Sequence, residues 1–228
     1  MHLVNLYNFC PKPKKPLYCI GMNIPEYIVL DVETTGFRPS DGHCIIEIAG
    51  EKIRGATVTE TYHSLVLSER IIDAESQSVH GITNEMLRLE GRPPEIVLPE
   101  FVAFAGALPL VGHNVSFDLS FVNAHLARLK QPLMTNLVID TCDLARRHLI
   151  ISSYGLEKVA AYLGVPQPSA HRAQVDVSVT RQVFMKLQQS ITGKGGQIIP
   201  TRSTGLPVNS TNNAPLPPLP TPPVARLF

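Results

Sequence analysis

The stretch Tyr27–Gly36, YIVLDVETTG, decides how the chain is read. A run of strand-forming residues, Tyr27 to Leu30, ends in two carboxylates, Asp31 and Glu33, and then in Thr34, Thr35 and Gly36. Side chains alternate faces along a strand, so Asp31 and Glu33 share one face while Val32 turns into packing. Two carboxylates about 7 Å apart on one strand face repel each other. A fold keeps such a pair where positive charge sits between them, and oxygen ligands at a strand end suit a hard divalent cation such as Mg2+ or Mn2+. The same spacing also occurs as two solvated acids, so the remainder of the chain has to decide.

With 228 residues the chain can hold one well-buried domain with extensions, or at most two small ones. A formal net charge of +1 argues against a broad surface that coats nucleic acid, yet leaves room for a local site for a strand end. Cys10, Cys19, Cys44 and Cys142 lie far apart, with no CxxC pair and no matching histidine spacing. They read as free thiols of a reducing cytoplasm, not as a zinc site. No apolar run approaches the roughly 20 residues of a membrane span. In the N-terminal stretch the lysines Lys12, Lys14 and Lys15 follow the apolar residues, the reverse of a signal peptide. The expectation is a soluble, cytoplasmic protein with no membrane partner. Residues 1–21 read as a flexible leader, with Met22 as an alternative translation start.

Beyond Gly36, the turn residues Pro39, Ser40, Asp41 and Gly42 lead into three expected strands, Cys44–Ile48, Lys52–Val58 and Thr61–Leu67. Glu47 sits among apolar neighbours and reads as an edge-strand acid, the other reading being a carboxylate that supports the site from behind its ligands. Gly81 marks a turn, and Thr83 opens a short helix. Val97, Phe101, Phe104 and Leu108 recur at helical spacing over 96–108. Leu110–His113 reads as a short strand. Ser116 is the expected cap of a helix over 117–130, with Phe117, Phe121, Ala124 and Arg128 along one face. Leu137–Thr141 is a further strand, with helices expected over 142–149, 154–163 and 173–189. The order predicts an α/β fold whose sheet starts antiparallel. From Ser190 the composition changes: eight of the 20 prolines lie in 191–228, so a disordered Pro/Gly-rich tail is expected there.

Two further acids complete a chemical set. In GHNVSFDLSF, Asp118 falls in the first turn of a helix after a strand; in HRAQVDVS, Asp176 opens the last helix. Five residues of continuous helix turn through about 500°, so His171 belongs on the loop entering that helix, free to stand over a site that Asp176 helps build. Four carboxylates can hold two metal ions about 4 Å apart around a phosphodiester. A histidine changes charge around neutral pH and can take the proton of an attacking water. His113 reads as structural, with Asn114 satisfying backbone groups at the same turn. His43, His63, His125 and His148 read as surface residues, Cys142 as a small buried apolar group, and Asp140 and Asp143 as strand-end and helix-start acids.

DVETTG, HNVSFD and HRAQVD, in this order, resemble the three motifs of the DEDDh (DnaQ-like) 3′–5′ exonucleases, most nearly the proofreading ε subunits of bacterial DNA polymerase III. The similarity spans about Tyr27 to Gln189 and includes VHGIT and GHN. It implies an exonuclease domain over 22–190 with a ribonuclease H-like, mixed five-stranded sheet flanked by helices. It also implies stepwise hydrolysis from a 3′ end, two Mg2+ or Mn2+ ions per site and release of nucleoside 5′-monophosphates. Residue by residue, Asp31, Glu33, Asp118 and Asp176 match the family's metal ligands, and His171 matches its general base. Thr34 and Gly36 match positions at the terminal sugar; Val79, His80 and Phe117 match the base and sugar pocket. The resemblance implies single-stranded or frayed DNA as substrate, beside a polymerase. A free-standing repair or RNA-trimming exonuclease carries the same motifs, and an inactive module that grips strand ends is the reading from another class. In the tail, Leu227-Phe228 resembles the end of peptides that bind bacterial sliding clamps.

Overall fold

The computed structural model describes residues 24–68, 70–168 and 171–203. The leader, the Met22 start and the clamp-like end all lie outside the described residues. The elements run β1 (Glu26–Thr34), β2 (Ile45–Arg54), β3 (Thr57–Leu65), α1 (Ala74–His80), α2 (Asn84–Glu90), α3 (Pro94–Ala105) and β4 (Leu110–Gly112). They continue with α4 (Val115–Arg128), β5 (Leu137–Asp140), α5 (Thr141–His148), α6 (Leu156–Tyr162), α7 (Ala173–Gly193) and β6 (Thr201–Arg202). The sheet order is β3-β2-β1-β4-β5-β6. β1 pairs antiparallel with β2 and parallel with β4, so the sheet is mixed, as expected for a ribonuclease H-like fold.

Alternation along β1 builds two cores. Tyr27 and Val29 face one side, where Ala145, Val159, Val177, Val183 and Phe184 of α5, α6 and α7 cover them. Ile28, Leu30 and Val32 face the other, against Val97, Phe101 and Phe121 of α3 and α4. The rings of Tyr27 and Phe184 meet edge-on at 5.1 Å. Each fully buried side chain of this kind contributes about 1.5–3 kcal/mol by leaving water.

Several expectations are corrected. The three strands foreseen after the first are two long ones, because Gly50 does not interrupt β2. A Cβ at Gly50 would lie 2.9 Å from Phe104 and 3.2 Å from Phe101, so the missing side chain is where these rings pack on the strand. The hairpin turn falls instead at Gly55, with φ 63°. The sheet has six strands instead of five, since Thr201–Arg202 pairs with Leu137 and Val138. Of the expected tail, Ile191–Gly193 forms the last turn of α7 and Thr201–Arg202 is β6. Helix α4 starts behind Asn114, which adopts the left-handed conformation (φ 69°, ψ 44°), and not behind Ser116. Among the described residues, no helix is long and apolar enough to cross a membrane.

Candidate active site

Because Tyr27 and Val29 face α7, the same alternation turns Asp31 and Glu33 toward it. Asp176, in the first turn of α7, meets them there. One carboxylate oxygen from each of Asp31, Glu33 and Asp176 lies within 4.8 Å of the others. Asp118 lies outside this group of three but close enough to repel Asp31. Buried in the first turn of α4, it reaches β1 from its far side, and its Oδ1 accepts the Val32 N–H at 3.0 Å. The ladder of β1 shifts register after Glu33, so an irregularity sits directly beside the acids.

Crowding four acids at one strand end makes their ionisation costly. Burial pushes Asp31 well above the ordinary carboxylate range, reinforced by repulsion from Asp118, Glu33 and Asp176. Burial raises Glu33 to about 8, with Asp176 and Glu47 adding to it. Asp118 is likewise raised to about 8 by burial, against the pull of its backbone hydrogen bonds. Asp176 is raised by burial, with His171 acting the other way. Its Oδ1 is buried without a hydrogen-bond partner. Convergent oxygen ligands, an orphaned carboxylate oxygen and a deficit of positive charge fit a hard divalent cation.

His171 lies on the segment before α7, as its spacing from Asp176 required. Its Nδ1 is 3.6 Å from Asp176 Oδ2, and its Nε2 is 3.4 Å from Glu157 Oε1 at the start of α6. Thr34 Oγ1 donates to the Gly36 carbonyl at 2.7 Å. A Cβ on Gly36 would overlap the His43 imidazole, so only glycine leaves room for that ring. His80 is buried at the end of α1; its Nδ1 accepts the Ile82 N–H at 3.0 Å, which leaves the proton on Nε2, a buried donor without a partner. Val79 beside it is 53% exposed. Phe117 is half-buried in the first turn of α4, its ring 5.0 Å from that of Phe121.

His113 is structural, as expected: its ring spans from Thr141 Oγ1 at 2.9 Å to the Tyr154 carbonyl at 2.7 Å. Asp140 caps α5 and also accepts the Asn114 N–H at 3.0 Å, so it holds the turn between β4 and α4. Two readings are overturned. His125 is buried, not on the surface, and donates from Nδ1 to the Phe121 carbonyl at 2.9 Å. Glu47 is no edge-strand acid: β2 lies between β1 and β3, and Glu47 is wholly buried. It accepts from Arg172 Nη2 at 2.6 Å, Arg172 Nε at 3.1 Å, the Ala173 N–H at 2.9 Å and His63 Nε2 at 2.8 Å. Burial opposes its ionisation, but these donors hold its carboxyl below the usual range.

Comparison with known proteins agrees with this geometry. The model of the exonuclease family RNase_T matches residues 28–184, a span that contains all five motif residues. The DNA polymerase III PolC-type protein of Thermotoga maritima is 39% identical over 160 residues, which are 70% of this chain and 12% of that protein. The chain thus spans about one eighth of that relative's length. The DNA polymerase III subunit epsilon of Aquifex aeolicus is 32% identical over 172 residues, 75% of this chain and 84% of its own. Among solved structures, exonuclease X in complex with 5′ overhanging duplex DNA superposes with a TM-score of 0.56 at 25% identity, over 72% of this chain and 92% of that one. With the matched span covering both sheet faces and every acid of the site, the chain belongs to the exonuclease family, among its DnaQ-like 3′–5′ exonucleases.

Proposed function

We propose that this protein hydrolyses the terminal phosphodiester at the 3′ end of single-stranded or frayed DNA and releases nucleoside 5′-monophosphates. The observation that carries the reading is the meeting of Asp31, Glu33 and Asp176 within 4.8 Å, beneath His171. These three acids, with Asp118 from α4, would hold two Mg2+ or Mn2+ ions. Bound there, such ions lower the cost of bringing water and a phosphodiester's negative charge together.

The chain's own groups do the rest. His171, its ring between Asp176 and Glu157, takes the proton of the attacking water. Water adds to the terminal phosphorus, the bond to the 3′ oxygen of the preceding nucleotide breaks, and that oxygen leaves with a proton as a new 3′ hydroxyl. Thr34 and Gly36 approach the terminal sugar. Val79 and Phe117 offer apolar surface to the base, and the unpartnered Nε2–H of His80 offers a donor. An apolar pocket grips every base alike, which suits removal of any terminal nucleotide. Kinship with polymerase III subunits supports proofreading beside a polymerase as the biological role.

A 5′-labelled single-stranded DNA and an RNA of the same sequence, each incubated with Mn2+, test the reading. A DNA ladder shortening from the 3′ end, absent in the Asp31→Ala/Glu33→Ala variant, is the expected result. Trimming of RNA alone would move the assignment to RNA processing. Silence on both, with strand-end binding retained, would leave only the inactive binding module.

A further inference from the structure

We propose that Glu47 is a positioning residue: acting through Arg172 and the Ala173 N–H, it fixes where His171 and Asp176 stand against the β1 carboxylates. The inference rests on the exonuclease reading and assigns work to an acid outside the motif set. Glu47 lies directly opposite Glu33 in the β1–β2 ladder, so both side chains rise on the face that α7 covers. Helix α7 begins at Ala173 with no side-chain cap from its own N-cap residue, Arg172. Glu47 supplies that cap from another strand. One oxygen accepts the Ala173 N–H at 2.9 Å, while the Arg172 guanidinium grips both oxygens. The carboxylate thereby satisfies one of the first N–H groups of α7 and sits at the helix end that favours negative charge.

Position along the chain makes this bond mechanistically relevant. Arg172 follows His171 directly, and Ala173 lies three residues before Asp176, so both groups of the site hang from the clamped segment. An ion pair made by a wholly buried carboxylate is weak evidence for stability, since apolar residues of similar volume often serve as well. What it adds is a defined geometry. A second pair, Arg181 Nε to Glu51 Oε2 at 2.6 Å, joins the same two elements further along. Four strand residues and nine helix residues each span about 13.5 Å, so both pairs fit one alignment of α7 on β2. Only the Glu47 pair borders the site. Glu51–Arg181 therefore provides an internal reference for a purely structural ion pair.

The test compares Glu47→Gln, Arg172→Gln and Arg181→Gln in the full chain. Two readouts are taken: steady-state kinetics on single-stranded DNA with Mn2+, and the His171 imidazole resonances of the metal-free protein, assigned by their loss in His171→Ala. For the first two variants kcat should fall by about 10- to 100-fold, with KM within about twofold, because misplacement of reacting groups acts on the chemical step. Their His171 resonances should shift, while Arg181→Gln keeps both kcat and the resonances. If Glu47→Gln does not fold, Arg172→Gln decides alone, its side chain being 30% exposed. Unchanged kcat and resonances in the folded variants, or equal losses in Arg181→Gln, would overturn the proposal. An inactive parent would overturn the functional reading instead, and the resonances would still decide whether Glu47 places His171.

Discussion

Asp118 Oδ1 accepts the backbone N–H of Val32 at 3.0 Å, which ties helix α4 to the peptide between Asp31 and Glu33. Strand β4 pairs with β1 only at Ile28 and Val29, so β1 runs on past the end of its neighbour. The Asp118 side chain takes over where the ladder stops. One carboxylate thus joins the two outer acids of the DVETTG motif to the HNVSFD motif. It gives the buried acid a structural duty beside its proposed role at the cation site.

That double duty separates charge from shape. Asp118→Asn keeps the Oδ1 acceptor for Val32 and removes the charge. Nuclease activity should fall by at least about 10- to 100-fold. In the metal-free protein at pH 8.5 the same change should raise Tm, since burial disfavours the ionised form of Asp118. Differential scanning calorimetry beside the DNA assay checks both; a lowered Tm would mean that the charge itself holds α4 in place.

The raised acids also set a pH dependence with a definite sign. Glu33 and Asp118 titrate near 8 in the metal-free fold, far above their values in an unfolded chain. The folded state therefore holds protons that the unfolded state has already released. The stabilisation they give is full below pH about 4 and is lost as pH rises through about 8. Between pH 7.5 and 8.5, where histidines are largely neutral in the unfolded chain, metal-free Tm should fall. Added Mn2+ should restore it at the upper end, because bound cations favour the ionised acids of the folded state alone. A Tm independent of both pH and Mn2+ in this window would contradict the cation-site assignment.

His125 has the opposite sign. Burial depresses it to about 4, so the unfolded chain takes up a proton that the folded one refuses. Its contribution is present above pH about 6.5 and is lost as pH falls toward 4. Replacing it in His125→Gln should reduce the acid destabilisation between pH 6.5 and 4, as read from urea midpoints at each pH. An unaltered acid limb would show that other groups carry it.

Gly36 and His43 should behave as a coupled pair. Gly36→Ala forces its methyl into the space of the imidazole, which also hydrogen-bonds Thr35 Oγ1 at 3.2 Å. The DVETTG turn must then shift, and kcat/KM should drop by roughly tenfold or more. Adding His43→Ala should recover part of that loss, as expected of neighbours in contact. Additive losses in the double variant would mean that the turn is disturbed by some other route.

Much of this site was legible in the chain because it is written locally. Alternation from Tyr27 to Glu33 assigns the two acids to one face, and the step from His171 to Asp176 places the histidine ahead of the helix. The two-sided core follows from the same alternation. What escaped depends on contacts distant in sequence. Ile45, Ile46 and Ile48 around Glu47 read as any strand; only β3 pairing on its outer side makes β2 central, and it takes donors from Arg172, Ala173 and His63 to make a buried acid tolerable there. The break expected between Ile48 and Lys52 is absent because Gly50 there makes room for the rings of Phe101 and Phe104, which come from α3. β6 is two residues long and is defined by its pairing with β5 alone. His125 is different: it stands four residues after Phe121 on the same helical face, and periodicity could have placed it inside.

The most direct test of the central claim is the identity of the first product from a 5′-labelled single-stranded DNA under single-turnover conditions with Mn2+. The account predicts a strand shorter by one nucleotide with a free 3′ hydroxyl, together with one nucleoside 5′-monophosphate, formed by the parent and not by Asp31→Ala/Glu33→Ala. Cleavage from the 5′ end or within the strand, or equal product from the double variant, would contradict it.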